Sequence, residues 1–448
     1  MIKMIKNQFN RIYKSDYFPF FILLILVIIP HILLKTNYGD DVDFRARIAN
    51  QGFLNLNKWF MESWSSKSII IFFMLGFMRL PDIFWRIFDV FMIMLLAFSI
   101  SKIFSTPKTK KLFNWFIAAF FLLYPFTHMK SAGWISTTCS YIFPLALGVF
   151  GLVYIRKYLD KQKVRPIEYV LYFAATFYAA NTEQMTVILF LIYFVFMVYS
   201  FYKKRPSFFM IIQLLVCTAN IIYVAIHPGH ILRNLEQTIV YFPNFGMMSL
   251  MQKIKLGAGA TAAHYISLPN LMFMALCSVI CICVFVKYKN VFYRIIAAIP
   301  FAISVCSLFG PIIYRIFPKL ESIIIYDGAP LSIQTMDELR YYIPVIISIC
   351  AFGFIAISLY LIFENSKKSP VLILIFFTGI VSRMLLSFAS SLYASGPRTF
   401  IFLYFAFIVC AACVCLELYP TLNAKHKSIL KYSLSTVAVL SYFCNICL

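Results

Sequence analysis

Long apolar runs recur along the whole chain. Its residues are 62% hydrophobic and only 13% charged, whereas a soluble domain is about half apolar and about a quarter charged. A run of about 20 apolar residues predicts a membrane-spanning helix, because only a helix satisfies its own backbone across roughly 30 Å of hydrocarbon. The sequence therefore predicts an all-α, polytopic integral membrane protein, with residues 1–448 forming a single membrane domain.

The apolar runs predict about thirteen transmembrane helices. They lie near residues 17–35, 83–103, 112–126, 141–157, 167–181, 185–202, 208–226, 270–287, 292–312, 341–363, 370–390, 399–418 and 428–447. Residues 52–66 predict an amphipathic helix on the outer surface. The apolar stretch 68–80 is too short to span comfortably and predicts a re-entrant or interfacial segment.

Basic residues are concentrated in the loops predicted to face the cytoplasm. These are residues 1–16, 102–111, 156–168, 203–206, 287–294, 364–369 and 417–431, and they hold 24 of the 40 Lys and Arg residues but only 5 of the 17 acids. The asymmetry follows the positive-inside rule and predicts a cytoplasmic N-terminus with a retained signal anchor. It also accounts for the net charge of +23, so the expected partner is the lipid bilayer and not nucleic acid.

The unusual polar residues gather in the predicted extracytoplasmic loops, 36–82, 227–269 and 313–340. In the first loop, Asp40, Asp41 and Asp43 follow the first apolar run directly. A carboxylate at the membrane surface can act as general base and deprotonate a sugar hydroxyl. The alternative is that Asp40 caps a helix beginning near Asp43. Since a cap needs one acid and not three, we expect Asp40 and Asp41 to be catalytic and Asp43 to bind substrate.

Two further outer motifs each have a functional and an ordinary interpretation. Trp64 with Lys67 predicts an aromatic platform beside a cation for phosphate, or else an interfacial aromatic belt with a lysine. Glu183 lies at membrane depth, where an acid is costly and marks function, although its neighbours would also suit a helix cap. Both motifs stay candidate substrate-binding residues.

Two basic motifs on the predicted outer side of the membrane could bind an anion. Pro228-Gly229 predicts a turn that brings His230 and Arg233 towards a phosphate, and Arg398 follows Gly396-Pro397 at a helix start. Each is otherwise an ordinary turn or helix start. His227 and His230 could bind a metal, but phosphate contact is the favoured interpretation, and Cys410, Cys413 and Cys415 suit helix packing, so no metal site is predicted. A divalent cation is the only cofactor left open.

The order of these motifs resembles a bacterial family of polytopic, glucosyltransferase-like proteins from surface-polysaccharide loci, within the GT-C superfamily. The resemblance covers residues 30–400. It rests on Gly39-Asp40-Asp41, Trp64-Ser65-Ser66-Lys67, Gly133-Trp134 with Tyr141, Glu183, Pro228-Gly229-His230 with Arg233, and Arg398. The chain departs from the family pattern at Lys67, where relatives have Arg, and at His230, where they have Asn.

The resemblance implies a GT-C fold and an inverting transfer of a sugar from a polyprenyl-phosphate donor to a glycan or glycolipid acceptor. It implies that Asp40 or Asp41 is the base and that Arg233 and Arg398 contact the phosphate, with Trp134 and Tyr141 also at the substrate. The reaction would take place on the outer side of the bacterial cytoplasmic membrane. The resemblance thus predicts a role in polysaccharide biosynthesis at the cell envelope.

Two other functions remain open from the sequence. A repeat-unit polysaccharide polymerase also joins lipid-linked glycans outside the membrane, but usually relies on Arg-rich outer loops. A transporter or flippase of lipid-linked sugars would place charged residues along a path through the membrane, whereas here they gather on one side. The acid-rich first loop favours the transferase.

Overall fold

The computed structural model describes residues 13–320, 342–364 and 366–447, and all regular secondary structure in these residues is helical. Most of the predicted basic N-terminus, 1–16, lies outside the described residues. So does most of the predicted outer loop 313–340. The described chain divides into two compact units, residues 1–230 with 428–448 and residues 231–427.

In its described residues, unit 1 contains eleven helices before residue 227 and most of the helix nearest the C-terminus. In order they are α1 (Phe18–Leu33), α2 (Asp40–Gln51), α3 (Phe53–Trp59), α4 (Ser68–Arg79), α5 (Asp82–Phe104), α6 (Lys110–Phe121), α7 (Trp134–Ser140), α8 (Ile142–Leu159), α9 (Pro166–Ala179), α10 (Glu183–Tyr202) and α11 (Phe208–Ile226). A π-helical turn, Phe60–Trp64, continues α3, and a 3₁₀ turn, Phe126–Lys130, precedes α7.

The following helices belong to unit 2, apart from the start of the first and most of the last. They are α12 (Pro228–Tyr241), α13 (Leu250–Ala262), α14 (Leu271–Lys287), α15 (Val291–Leu308), α16 (Gly310–Ile316), α17 (Tyr342–Ile362), α18 (Lys368–Met384), α19 (Ile401–Leu418) and α20 (Ala424–Cys447). Shorter 3₁₀ and π turns lie at Pro243–Met247, Ala263–Ser267, Leu385–Phe388, Pro397–Phe400 and Tyr419–Thr421.

Nine helices or helix runs in the described ranges are long and apolar enough to cross a membrane. A tenth candidate is the pair formed by α13 with its π turn and α14, which together bend by 75°. The fold is therefore that of an all-α chain with nine or ten apolar helices capable of spanning a membrane. This confirms the predicted helical class.

Each of the thirteen predicted runs contains an observed helix, but three of these helices are short. α1 has 16 residues, α6 has 12 and α9 has 14. At 1.5 Å per residue, 12 to 16 residues cover only about 18–24 Å, less than the roughly 30 Å hydrocarbon core. The count of thirteen membrane spans therefore stays a prediction, as does the GT-C fold.

The centre of packing is a helix pair in unit 1 and a buried helix in unit 2. In unit 1, α5 packs against α8, and the indole N–H of buried Trp85 donates to the Thr138 hydroxyl at 2.9 Å. In unit 2, α19 is fully enclosed by α14, α18 and their neighbours. Cys410, Cys413 and Cys415 are buried in α19, in keeping with the predicted packing role.

Candidate functional site

The acidic turn at the start of α2 rests on the chain just before α7. Gly39 is the residue before the helix, and the Asp40 N–H donates to the Ala132 carbonyl at 2.8 Å. Asp40 itself is exposed. The alternative in which Asp40 caps a helix that begins near Asp43 is not the observed arrangement, because α2 already begins at Asp40 and its preceding residue is Gly39.

Asp41 is enclosed and bonds to the N-terminus of α7. Its Oδ2 accepts from the Ile135 N–H at 2.9 Å, and its Oδ1 accepts from the Ser136 N–H at 2.9 Å and the Ser136 hydroxyl at 2.6 Å. Burial raises the pKa of Asp41, while the bonds from Ser136 and Ile135 oppose the rise. The carboxylate thus caps a neighbouring helix, where its charge meets the positive end of the dipole.

Gly133 makes this close contact between α2 and α7 feasible. Its φ of +110° lies in the region that favours glycine. A Cβ placed on Gly133 would lie 2.6 Å from the Asp41 Oδ1 atom and 2.9 Å from the Tyr38 carbonyl. The predicted pairing of Gly133-Trp134 with the acidic turn therefore has a steric basis, and Trp134, the first residue of α7, is buried.

Asp43 and Trp64 belong to a second group of contacting residues in the same loop, and this group is more exposed than Asp41. Asp43 pairs with Arg47 at 3.0 Å, one helical turn along α2. The Arg47 guanidinium lies 5.0 Å above the Trp59 ring. Trp59 in turn stacks on Trp64, with ring centroids 5.8 Å apart and planes 22° apart. Aromatic faces beside a charged edge suit both a sugar and a lipid headgroup.

Four of the predicted site residues, distant in sequence, meet in one cluster. The Lys67 ammonium lies 3.0 Å from Glu183 Oε2, and His230 Nδ1 lies 4.0 Å from Glu183 Oε1. Lys67 also lies 5.8 Å above the centroid of the Tyr141 ring. The Lys67 side chain is 15% exposed and the Glu183 side chain 30%, so the pair is partly screened from solvent but still reachable.

The backbone around this cluster is fixed by close contacts. Asn181 Oδ1 accepts from the N–H groups of Ile69 and Ile70 at 3.1 and 3.3 Å, and so caps the start of α4 directly after Lys67. A Cβ on Gly229 would lie 2.6 Å from the Met61 carbonyl oxygen. Only glycine allows the segment that carries His230 to lie this close to the π turn.

The acidic turn and the Lys67 cluster lie at opposite ends of α7. Asp41 bonds to the N-terminus of this helix, while Tyr141, which contacts Lys67, directly follows Ser140 at its C-terminus. Seven residues at 1.5 Å per residue separate the two ends by roughly 10 Å. One short helix therefore separates the N–H groups that bind Asp41 from the ring that Lys67 contacts.

The remaining predicted residues, Arg233 and Arg398, belong to unit 2. With the Gln237 amide oriented so that its oxygen faces the guanidinium, Arg233 Nε donates to it at 2.9 Å, and the Gln237 nitrogen donates to the Ser391 hydroxyl at 2.9 Å. Arg398 lies in the 3₁₀ turn that leads into α19. The predicted helix start at Pro397 is therefore present, while α12 is a helix where the sequence predicted a turn at Pro228-Gly229.

Unit 2 also buries a cation beside an aromatic stack. Arg383 is 2% exposed, donates to the Thr399 hydroxyl at 3.3 Å and lies 4.0 Å above the Phe400 ring. His264 stacks on the same ring, with centroids 3.8 Å apart. The His264 Nε2 atom lies 2.8 Å from the Tyr404 hydroxyl. The aromatic ring thus stabilises the buried guanidinium through a cation–π interaction.

Sequence reasoning missed a buried histidine–aspartate pair in unit 1. His31 Nδ1 lies 2.7 Å from the Val27 carbonyl and Nε2 lies 2.7 Å from Asp89 Oδ2. For both contacts to be hydrogen bonds, His31 and Asp89 must hold two protons between them, either as imidazolium with carboxylate or as imidazole with carboxylic acid. The pair is therefore neutral overall. An ionisable residue inside an apolar run is the sequence signal for a buried pair of this kind.

The His31–Asp89 pair also borders a cavity. Trp134, Thr138 and Asn445 line the same cavity, whose remaining walls are largely apolar. Trp134, one of the predicted site residues, is therefore both the first residue of α7 and part of the wall of the cavity that His31 and Asp89 border. Within the described residues, no group of three or more His, Cys, Asp or Glu side chains is arranged to hold a metal ion.

The apolar helices indicate a protein embedded in a membrane. Comparisons with protein-family models, with curated proteins and with solved structures gave no match.

Proposed function

We propose that the protein is a membrane glycosyltransferase that moves a sugar from a polyprenyl-phosphate donor to a surface polysaccharide or glycolipid. The site would face the extracytoplasmic side of a bacterial plasma membrane. One observation carries the proposal: Lys67, Tyr141, Glu183 and His230 come from four separate segments and meet at one end of α7. An exposed acid lies at the other end of that helix.

Asp40 is the better general base of the two neighbouring acids. Asp40 is an exposed residue that an acceptor can reach, whereas Asp41 is buried and bonded to α7. In the proposed step, Asp40 takes the proton of an acceptor hydroxyl as the hydroxyl oxygen attacks the anomeric carbon of the donor. The bond from that carbon to the phosphate oxygen breaks, polyprenyl phosphate leaves with the electron pair, and the configuration inverts.

The cluster around Glu183 supplies the cations for the leaving phosphate. Glu183 holds Lys67 at 3.0 Å, which fixes the ammonium before substrate arrives and reduces the ordering cost of binding. His230, at 4.0 Å from the same carboxylate, adds a second nitrogen. By the family resemblance alone, Arg233 and Arg398 are proposed as phosphate-binding residues, and both belong to unit 2.

Both departures from the family pattern lie at one carboxylate. Lys67 stands where relatives have Arg and His230 where they have Asn, and each contacts Glu183. A bidentate Arg would occupy both carboxylate oxygens, whereas a lysine leaves one oxygen for a neighbour. A histidine at residue 230 therefore compensates for the smaller reach of lysine at residue 67.

The test is composition and linkage analysis of the surface glycan in cells with and without the protein. Loss of one side-chain sugar, with the polymer backbone and its length unchanged, is the result expected for a decorating transferase. Loss of long polymer, with only single repeat units remaining, would show that the protein is a polymerase instead. Accumulation of lipid-linked sugar on the inner leaflet would show that the protein is a transporter instead.

A further inference from the structure

Helix α12 exposes an apolar face. Ile231, Leu232, Leu235 and Ile239 fall within about 100° of one another on a helix of 3.6 residues per turn. Their side chains are 47%, 51%, 60% and 75% exposed. In water such a continuous apolar strip is unfavourable, and it marks a surface that meets lipid or another protein.

The polar side of α12 bonds to unit 2. The Ser390 hydroxyl donates to the Asn234 carbonyl at 3.4 Å, and Gln237 links Arg233 to Ser391. Ser390 and Ser391 are buried. The helix thus directs Gln237 towards the protein and its largest apolar side chains away from it, the reverse of a helix on a water-soluble surface.

The position of α12 in the chain indicates what covers the apolar face. α11 is a 19-residue apolar helix that can span a membrane, and it ends at Ile226. Only His227, in an extended conformation, separates it from Pro228 at the start of α12. A helix that begins one residue after a span ends begins at the membrane surface.

The length and polar residues of α12 exclude a further span. Its 14 residues cover about 21 Å, which is short of the roughly 30 Å of hydrocarbon. It also carries Arg233 and Glu236 within that length. A helix with one apolar face and one charged face lies in the plane of the interface.

We propose that α12 is an interfacial helix whose apolar face is inserted into the lipid at the surface where α11 ends. The sequence predicted residues 227–269 as a loop outside the membrane; in this proposal the first third of that segment is a lipid-binding element. Further along the chain, Met247, Leu250 and Met251 are also exposed, at 74%, 65% and 63%. The proposal does not depend on the glycosyltransferase function.

The experiment attaches a bimane fluorophore to single introduced cysteines in the full chain, reconstituted into phosphatidylcholine and phosphatidylglycerol vesicles. Ile239→Cys and Leu235→Cys report on the apolar face. Glu236→Cys, on the same helix and exposed, is the matched control. The unmodified protein gives the background from native thiols.

Lipids brominated on the acyl chain should quench the Ile239→Cys and Leu235→Cys labels several-fold more than the Glu236→Cys label. Aqueous iodide should give the opposite order. Equal iodide quenching at all three positions would overturn the proposal, since the helix would then lie in water. Weak quenching of the apolar-face labels by both agents would also overturn it, because the face would then be covered by protein.

Discussion

Asp40 and Asp41 are adjacent in the chain but have opposite environments. Asp40 is exposed at the first residue of α2, while Asp41 is buried and accepts three hydrogen bonds from Ile135 and Ser136. The sequence predicts an acidic site here but cannot distinguish the two residues. The distinction comes from α7, which lies more than 90 residues further along the chain.

Asp41→Asn should destabilise the protein, because the amide nitrogen cannot accept one of the α7 N–H groups. A buried donor left without its acceptor costs about 1–3 kcal/mol. The measurement is thermal unfolding in detergent, with Asp40→Asn, at the neighbouring exposed acid, as the matched variant that should lower the midpoint less. Equal midpoints for Asp41→Asn and the unmodified protein would contradict the capping role.

The buried His31–Asp89 pair makes a second prediction about stability. His31→Leu or Asp89→Leu alone leaves one polar group buried without its partner, which costs about 3–5 kcal/mol, whereas replacing both removes the penalty. The double variant should therefore unfold at a higher temperature than either single variant. A double variant at least as unstable as the worse single variant would show that the pair is not coupled.

The cluster around Glu183 predicts non-additive effects on activity. Lys67→Arg alone should lower activity, because the larger guanidinium competes with His230 for the carboxylate. Adding His230→Asn should restore part of the loss. A double-mutant cycle on glycan modification measures the coupling. Strictly additive losses would mean that Lys67 and His230 act independently, despite their shared partner.

Among the elements, α7 and the turns that meet it determine how the site is arranged. The sequence predicts helices from apolar periodicity, and each predicted run does contain one. It predicts a helix over residues 52–66, which forms α3 and the π turn Phe60–Trp64. It does not predict α12 or the π turn itself, because these depend on tertiary contacts such as Gly229 against Met61.

Gly229→Ala should disturb the cluster without touching any charged group. Its added Cβ would lie 2.6 Å from the Met61 carbonyl, so the backbone carrying His230 must shift. We expect weaker donor use and a lower unfolding temperature. Gly76→Ala is the control, since a Cβ there meets nothing within 4 Å and alanine favours the helix. Equal behaviour of the two variants would contradict the close contact.

At the scale of the whole molecule, composition predicts the class of fold well and the number of spans less well. Hydropathy identifies apolar helices but does not separate a span from α6 or α9, which are apolar yet short. It also gives no signal for the division into two units. The meeting of Lys67, Tyr141, Glu183 and His230 depends on long-range packing, which no local pattern encodes.

In the proposed function, Asp40 is the base of a sugar transfer. The most direct measurement is the amount of the transferred sugar on the surface glycan of cells expressing Asp40→Asn at the wild-type protein level. The matched control is Glu62→Gln, an exposed acid in the same loop that pairs with Lys58 at 3.7 Å. Asp40→Asn should abolish addition of the sugar, and Glu62→Gln should leave it unchanged. Full retention of the sugar with Asp40→Asn would show that Asp40 is not the base.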